Sequence, residues 1–200
     1  MVEDQVHCGK TSFEFTAELR TKSKSKTFKI HFSDADGLKS YITRHSFFNP
    51  LLKGRSTKNH FYVINNQQMD NIPKDVKHLY FTRYRNEMTI LDFSSFGFIH
   101  LRAITISSEC FMNVREFVLD GLAKLESVKI GEYCIRVSDK ERNDGICRIA
   151  NCPNLTQLEI GNRSFKDFKQ FELSNLNSLQ SITFGYVCFQ YAENCILKGE

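Results

Sequence analysis

The feature that most limits how this chain can fold is a repeat that becomes regular at Leu101. The units read LRAITISSECFMNVREFVLDGLAK, then LESVKIGEYCI closing with CRIANCPN, then LTQLEIGNRSFKDFKQFELSNLNS, then LQSITFGYVCFQYAENCILKGE. They open at Leu101, Leu125, Leu155 and Leu179, in steps of 24, 30 and 24 residues. The longer second unit takes up its extra residues within Val137–Gly145, a polar, charged run ending in glycine, as an inserted surface loop should. The apolar columns agree across units. Position four is Ile104, Val128, Leu158 and Ile182, and position six is Ile106, Ile130, Ile160 and Phe184. Position ten is Cys110, Cys134, Ser164 and Cys188, followed by Phe111, Ile135, Phe165 and Phe189. Late in each unit come Phe117, Cys147, Phe171 and Cys195, then Leu119, Ile149, Leu173 and Leu197. A weaker unit opens at Val76, with Leu79 and Phe81 at the same spacing, and Phe93 and Phe98 in later apolar columns.

Positions three to six alternate in the period of a β-strand, so four and six point one way while three and five point the other. One such unit cannot bury its apolar side alone, and stacking the units joins the columns into a continuous core. The spacing therefore predicts an α/β chain with a parallel sheet on one face. The second half of each unit returns as short helix, 3-10 helix or a further extended segment.

These residues resemble the leucine-rich-repeat family, and within it the BspA-like subtype with its IGxxAF core. That core is matched by Ile160-Gly161-Asn162-Arg163-Ser164-Phe165, Ile130-Gly131-Glu132-Tyr133-Cys134-Ile135 and Phe184-Gly185-Tyr186-Val187-Cys188-Phe189. The first unit keeps Cys110-Phe111 but has Ser107 in place of the glycine. The resemblance spans residues 76–200. It implies a solenoid that binds proteins, without shared catalytic residues. The common form of the family carries an asparagine at position nine. Here that position holds Glu109, Tyr133, Arg163 and Val187, so that ladder is missing.

Residues 1–75 do not fit the repeat. Phe13, Phe15, Ala17 and Leu19 alternate with polar residues, as do Phe28, Ile30 and Phe32, and a Lys/Ser-rich stretch between them has hairpin character. Asp34 or Asp36 can cap a short helix over Leu38, Tyr41 and Ile42, and His60–Ile64 reads as a strand. The expectation is a small α+β unit covering an open end of the solenoid; a separate ubiquitin-like domain is the alternative. At the other end the chain stops as a repeat is completing; the expectation is either a short solenoid that ends openly, which invites self-association through exposed core, or a fragment of a longer array.

The seven cysteines can be drawn as metal-ligand pairs, Cys147 with Cys152 and Cys188 with Cys195, but the spacings match no zinc pattern. Six of them share columns with Ser, Phe or Leu, as buried small hydrophobes do. A Cys110–Cys134 disulfide between adjacent units is the other reading. His7 and Cys8 lack any pattern of a nucleophile with its base, and the histidines are scattered. No Gly-rich phosphate loop is present; Gly131, Gly161 and Gly185 occupy one repeat position, assigned to the turn after each strand. No catalytic residue, cofactor or metal is expected.

The net charge of +4 lies wholly in the first third. Residues 1–75 hold 12 Lys+Arg against 8 Asp+Glu, and residues 76–200 hold 15 of each. A neutral repeat region is a poor nucleic-acid binder, and the Lys22–Lys26 run reads as a solvated hairpin tip. No run of 18 apolar residues and no signal peptide is evident, so membrane insertion is not expected and a cytoplasmic location is. The sequence thus points to a non-enzymatic protein-interaction scaffold with an unidentified protein partner. Its candidate face is the outward side of the sheet: His78, Tyr80, Thr105, Lys129, Gln157, Glu159 and Thr183. That face lacks an aromatic and arginine cluster. A fragment of a secreted or surface adhesin is the alternative, with sequons at Asn154 and Asn162 that secretion would expose to glycosylation.

Overall fold

A computed structural model describes residues 14–20, 25–32, 59–84, 87–136 and 144–199. Within them the regular secondary structure is almost wholly strand, laid in two sheets. The first sheet takes the LxxIxI segments: β3 (His60–Val63), β4 (His78–Phe81), β6 (Ala103–Ile106), β8 (Ser127–Ile130), β10 (Gln157–Ile160) and β12 (Ser181–Phe184). Two N-terminal strands join it, β1 (Glu14–Arg20) and β2 (Ser25–Phe32), giving the order β1-β2-β12-β10-β8-β6-β4-β3. The second sheet takes the return segments: β5 (Ile90–Asp92), β7 (Glu116–Asp120), β9 (Gly145–Ala150), β11 (Phe168–Ser174) and β13 (Asn194–Lys198). Except for the antiparallel β1–β2 hairpin, all pairings are parallel. Helix among the described residues is confined to α1 (Asn66–Asp70) and a 3-10 helix at Phe93–Phe96.

From β4 onward the chain alternates between the sheets, one strand to each per unit. The return segments are therefore extended, the third of the options their sequence left open. Large apolar residues at alternate positions explain this: Phe117, Leu119, Ile149, Phe171 and Leu173 all turn inward and are fully or almost fully buried. The core is the layer between the sheets. Leu101, Leu125, Leu155 and Leu179 are all buried, as are the residues at positions four, six, ten and eleven of each unit. Phenylalanines from both sheets and from the turns between them meet there, Phe117 with Phe165 at 5.2 Å between ring centroids and Phe171 with Phe184 at 5.3 Å, both edge to face.

Two recurring devices set the spacing between units. Gly131, Gly161 and Gly185 donate their N–H to Ile106, Ile130 and Ile160 of the preceding unit. A Cβ on any of them would lie 2.5 to 2.6 Å from backbone of that unit. The glycines are thus required by close approach of neighbouring coils rather than by turn geometry, which corrects the sequence reading. Positions nine and eleven are the ones in the left-handed region: φ is 61, 56, 57 and 62° at Glu109, Tyr133, Arg163 and Val187, and 56, 48, 53 and 50° at Phe111, Ile135, Phe165 and Phe189. Side chains other than glycine are disfavoured there by roughly 1–2 kcal/mol each. Burial of position eleven offsets that cost.

The second device is hydrogen bonding. Cys134 Sγ donates to the Ser107 carbonyl (2.9 Å), Ser164 Oγ to that of Gly131 (2.7 Å) and Cys188 Sγ to that of Gly161 (3.0 Å). Position ten is therefore a donor ladder, and its cysteines do more than fill space. An asparagine ladder also exists, far from position nine. Gly121, Asn151 and Asn175 share a left-handed turn with φ of 69, 51 and 52°. Asn151 Nδ2 donates to Asp120 and Asn175 Nδ2 to Asn151.

The first third departs from expectation in placement. β1 and β2 form the expected hairpin, but β2 runs parallel to β12, with Thr183 opposite His31 and Phe184 opposite Phe32. The edge of β12 is thus covered by β2. The strand expected at His60–Ile64 is present as β3, yet it pairs in register with β4. The boundary expected at residue 75 therefore falls between two hydrogen-bonded strands. The expected helix over Leu38, Tyr41 and Ile42 lies outside the described residues, as do His7, Cys8 and residues 137–143 of the insertion.

Candidate functional site

In-register parallel pairing sorts the outward side chains of the first sheet into two rows. One runs His60, His78, Ala103, Ser127, Gln157, Ser181, and the other Tyr62, Tyr80, Thr105, Lys129, Glu159, Thr183. All seven residues expected to form the candidate face, His78, Tyr80, Thr105, Lys129, Gln157, Glu159 and Thr183, lie in these rows. Lys129 and Glu159 pair at 2.8 Å, as their shared column implied, and Gln157 also donates to Glu159. At the head of the strands Arg102 pairs with Glu126.

What the sequence reading missed is the contribution of β3. It brings His60 and Tyr62 alongside His78 and Tyr80, and the four rings form a stacked array. His60 and His78 lie 4.5 Å apart between centroids and within 8° of parallel. Tyr62 and Tyr80 lie 4.8 Å apart within 13°, and His60 is stacked diagonally on Tyr80 at 5.8 Å. Strands in a sheet are about 4.8 Å apart. Rings stacked at that spacing across strands stand upright on the sheet. The four side chains are half-buried. The face thus does carry an aromatic cluster, at its β3 end. The signal was present as His-x-Tyr at both His60 and His78, but His60 had been assigned outside the repeat.

The array has its own electrostatics. Burial first, and then the neighbouring His60, hold the His78 imidazole below its ordinary range. Burial, and then Tyr62, push the Tyr80 phenol up. Both favour uncharged rings. At the opposite end the rows become small and polar, with Ser181 and Thr183 exposed.

The cysteines offer different chemistry. Cys110, Cys134, Cys147, Cys152, Cys188 and Cys195 form no disulfide and are buried. Burial pushes the Cys134 and Cys188 thiols up to about 12 and Cys152 to about 11, and Cys147 well above its ordinary value. Such thiols stay protonated and are poor nucleophiles and poor ligands. Among the described residues no group of three or more His, Cys, Asp or Glu is placed to hold a metal ion, and no helix is long and apolar enough to cross a membrane. Asn162, one of the two sequon asparagines, uses both ends of its side chain between units. Its Oδ1 accepts from the Tyr186 N–H (2.8 Å) and its Nδ2 donates to Glu132 (3.1 Å).

Compared with models of protein families, with curated proteins and with solved structures, the chain finds no match.

Proposed function

We propose that this chain is a non-enzymatic protein-interaction scaffold, a short solenoid of the leucine-rich-repeat type that binds its partner on the outward face of the first sheet. The observation that carries this reading is the four-ring array of His60, Tyr62, His78 and Tyr80. Partly exposed tyrosines set in a rigid sheet supply large contact area at little entropic cost, the character of residues that dominate protein interfaces. Further along the same face the ion pairs are closed and the remaining groups small, as suits a surrounding rim. The repeated units support the solenoid, since each adds one strand to both sheets and stacks on the last.

The test is affinity capture with the full chain beside a Tyr62→Ala/Tyr80→Ala double variant of matched thermal stability. Proteins retained by the first and lost by the second are expected. An identical retained set would place binding elsewhere and overturn the assignment of this face.

A further inference from the structure

The ring array ends abruptly. On the β3 side of β4, His78 and Tyr80 each face another ring at 4.5 to 4.8 Å. On the opposite side their in-register neighbours are Ala103 and Thr105. Neither reaches the height of a ring, and the next strand places Ser127 and Lys129 in these rows. The outer ring faces of His78 and Tyr80 therefore form a wall above a low floor. The gap has the spacing of one more member of the stack.

The electrical surroundings restrict what can enter. The charged side chains nearest the gap are two pairs, Arg102 with Glu126 and Lys129 with Glu159, and Lys77 beside His78. His78 is held towards its neutral form. A cation entering would meet Lys77, Lys129 and Arg102, and an anion Glu126 and Glu159, so neither sign enters without a like charge beside it. An aromatic ring continues the stack without that conflict, since offset parallel rings attract. The strands on both sides already use their backbone groups in the sheet, so recognition there must proceed through a side chain rather than by strand addition.

We infer that the slot above Ala103 and Thr105 receives one uncharged aromatic side chain, Trp, Tyr or Phe, delivered by an extended segment of the protein partner. This rests on the scaffold reading and adds the class of residue that is recognised.

The experiment uses the full chain and three small probes at millimolar concentration: the blocked peptides Ac-Gly-Trp-Gly-NH2 and Ac-Gly-Arg-Gly-NH2, and methyl β-glucoside. Proton–carbon correlation spectra of the tyrosine rings and the threonine methyls are the readout. The tryptophan peptide is expected to shift the Tyr80 and Thr105 signals by its ring current, and to bind about three- to tenfold more tightly than the other two probes. Thr105→Tyr should fill the slot from within and abolish the shift at Tyr80. Tyr80→Leu, which keeps apolar bulk without a ring, should weaken binding about three- to tenfold. Stronger perturbation by the arginine peptide or the glucoside would overturn the inference, as would a tryptophan shift that persists in Thr105→Tyr. Should partner capture depend on Tyr62 and Tyr80 but be unaffected by Thr105→Tyr, the slot fails while the scaffold reading stands.

Discussion

At the scale of single residues, the spacing between coils rests on atoms that are missing or small. Gly161→Ala would set a methyl group 2.6 Å from the Gly131 carbonyl carbon. It should destabilise the chain by about 2–3 kcal/mol, as overpacking does. Gly121 has a φ of +69° but nothing within 4 Å of a built Cβ, so Gly121→Ala should cost only about 1 kcal/mol. Urea denaturation of the two variants side by side checks the ranking; equal losses would mean the coils are not in contact at position seven. The position-ten ladder makes a second prediction. Cys134→Ser keeps a donor for the Ser107 carbonyl, as Ser164 does one unit later, and should be near neutral. Cys134→Ala leaves that buried carbonyl unpaired and should cost about 1–3 kcal/mol. Comparable melting temperatures for the two variants would reduce the thiol to a space-filler. The columns themselves were legible in the sequence because burial repeats at a fixed interval. Their hydrogen bonds were not, because Cys looks like a hydrophobe in a column until its carbonyl partner is seen. The asparagine ladder was missed because Gly121, Asn151 and Asn175 are related by the left-handed turn they share, not by hydropathy.

At the scale of elements, β3 changes the character of the whole face. Its four residues carry too little repeat signal to be aligned, and the register with β4 is a tertiary fact. Only that register brings His60 onto His78. The pair also gives the face a pH dependence. The groups acting on His78 are His60 from β3, Lys77 beside it, and the Arg102 and Glu126 pair; burial and His60 outweigh the carboxylate. A folded-state value below the ordinary 6.5 means that the unfolded chain takes up the proton first. Stability from this site is therefore complete above pH 6.5 and declines as pH falls through 6.5 towards the folded value. Thermal melts between pH 7.5 and about 5 should show a steeper loss for the native chain than for His78→Gln. Parallel pH profiles would show that the imidazole does not charge differently on folding.

At the scale of the whole molecule, the strands of each unit build two parallel sheets, and the N-terminal hairpin closes one edge. Parallel strands and a repeated core could be read from spacing alone, whereas the hairpin's partner could not, since it pairs residues some 150 positions apart (His31 with Thr183). The β1–β2 hairpin thereby covers the β12 edge of the repeat strands. Removing residues 1–32 should bare the backbone of β12 and promote association between copies. Light scattering after size-exclusion chromatography should then report oligomers for the truncated chain and a smaller species for the full one. A truncated chain that stays monomeric and folded would mean that β2 shields nothing. Both sheets require the units to stack in register, and disulfide trapping reads that register directly. Thr105 lies opposite Lys129, one strand away, while Ser127 is two residues out of step. A disulfide tolerates a Cα separation up to about 6.8 Å, which adjacent in-register positions meet and the offset pair exceeds. Mild oxidation should therefore crosslink Thr105→Cys/Lys129→Cys nearly completely and Thr105→Cys/Ser127→Cys hardly at all, as counted by mass spectrometry of the digested chain. Equal yields, or preference for the offset pair, would contradict the stacking on which every proposal here depends.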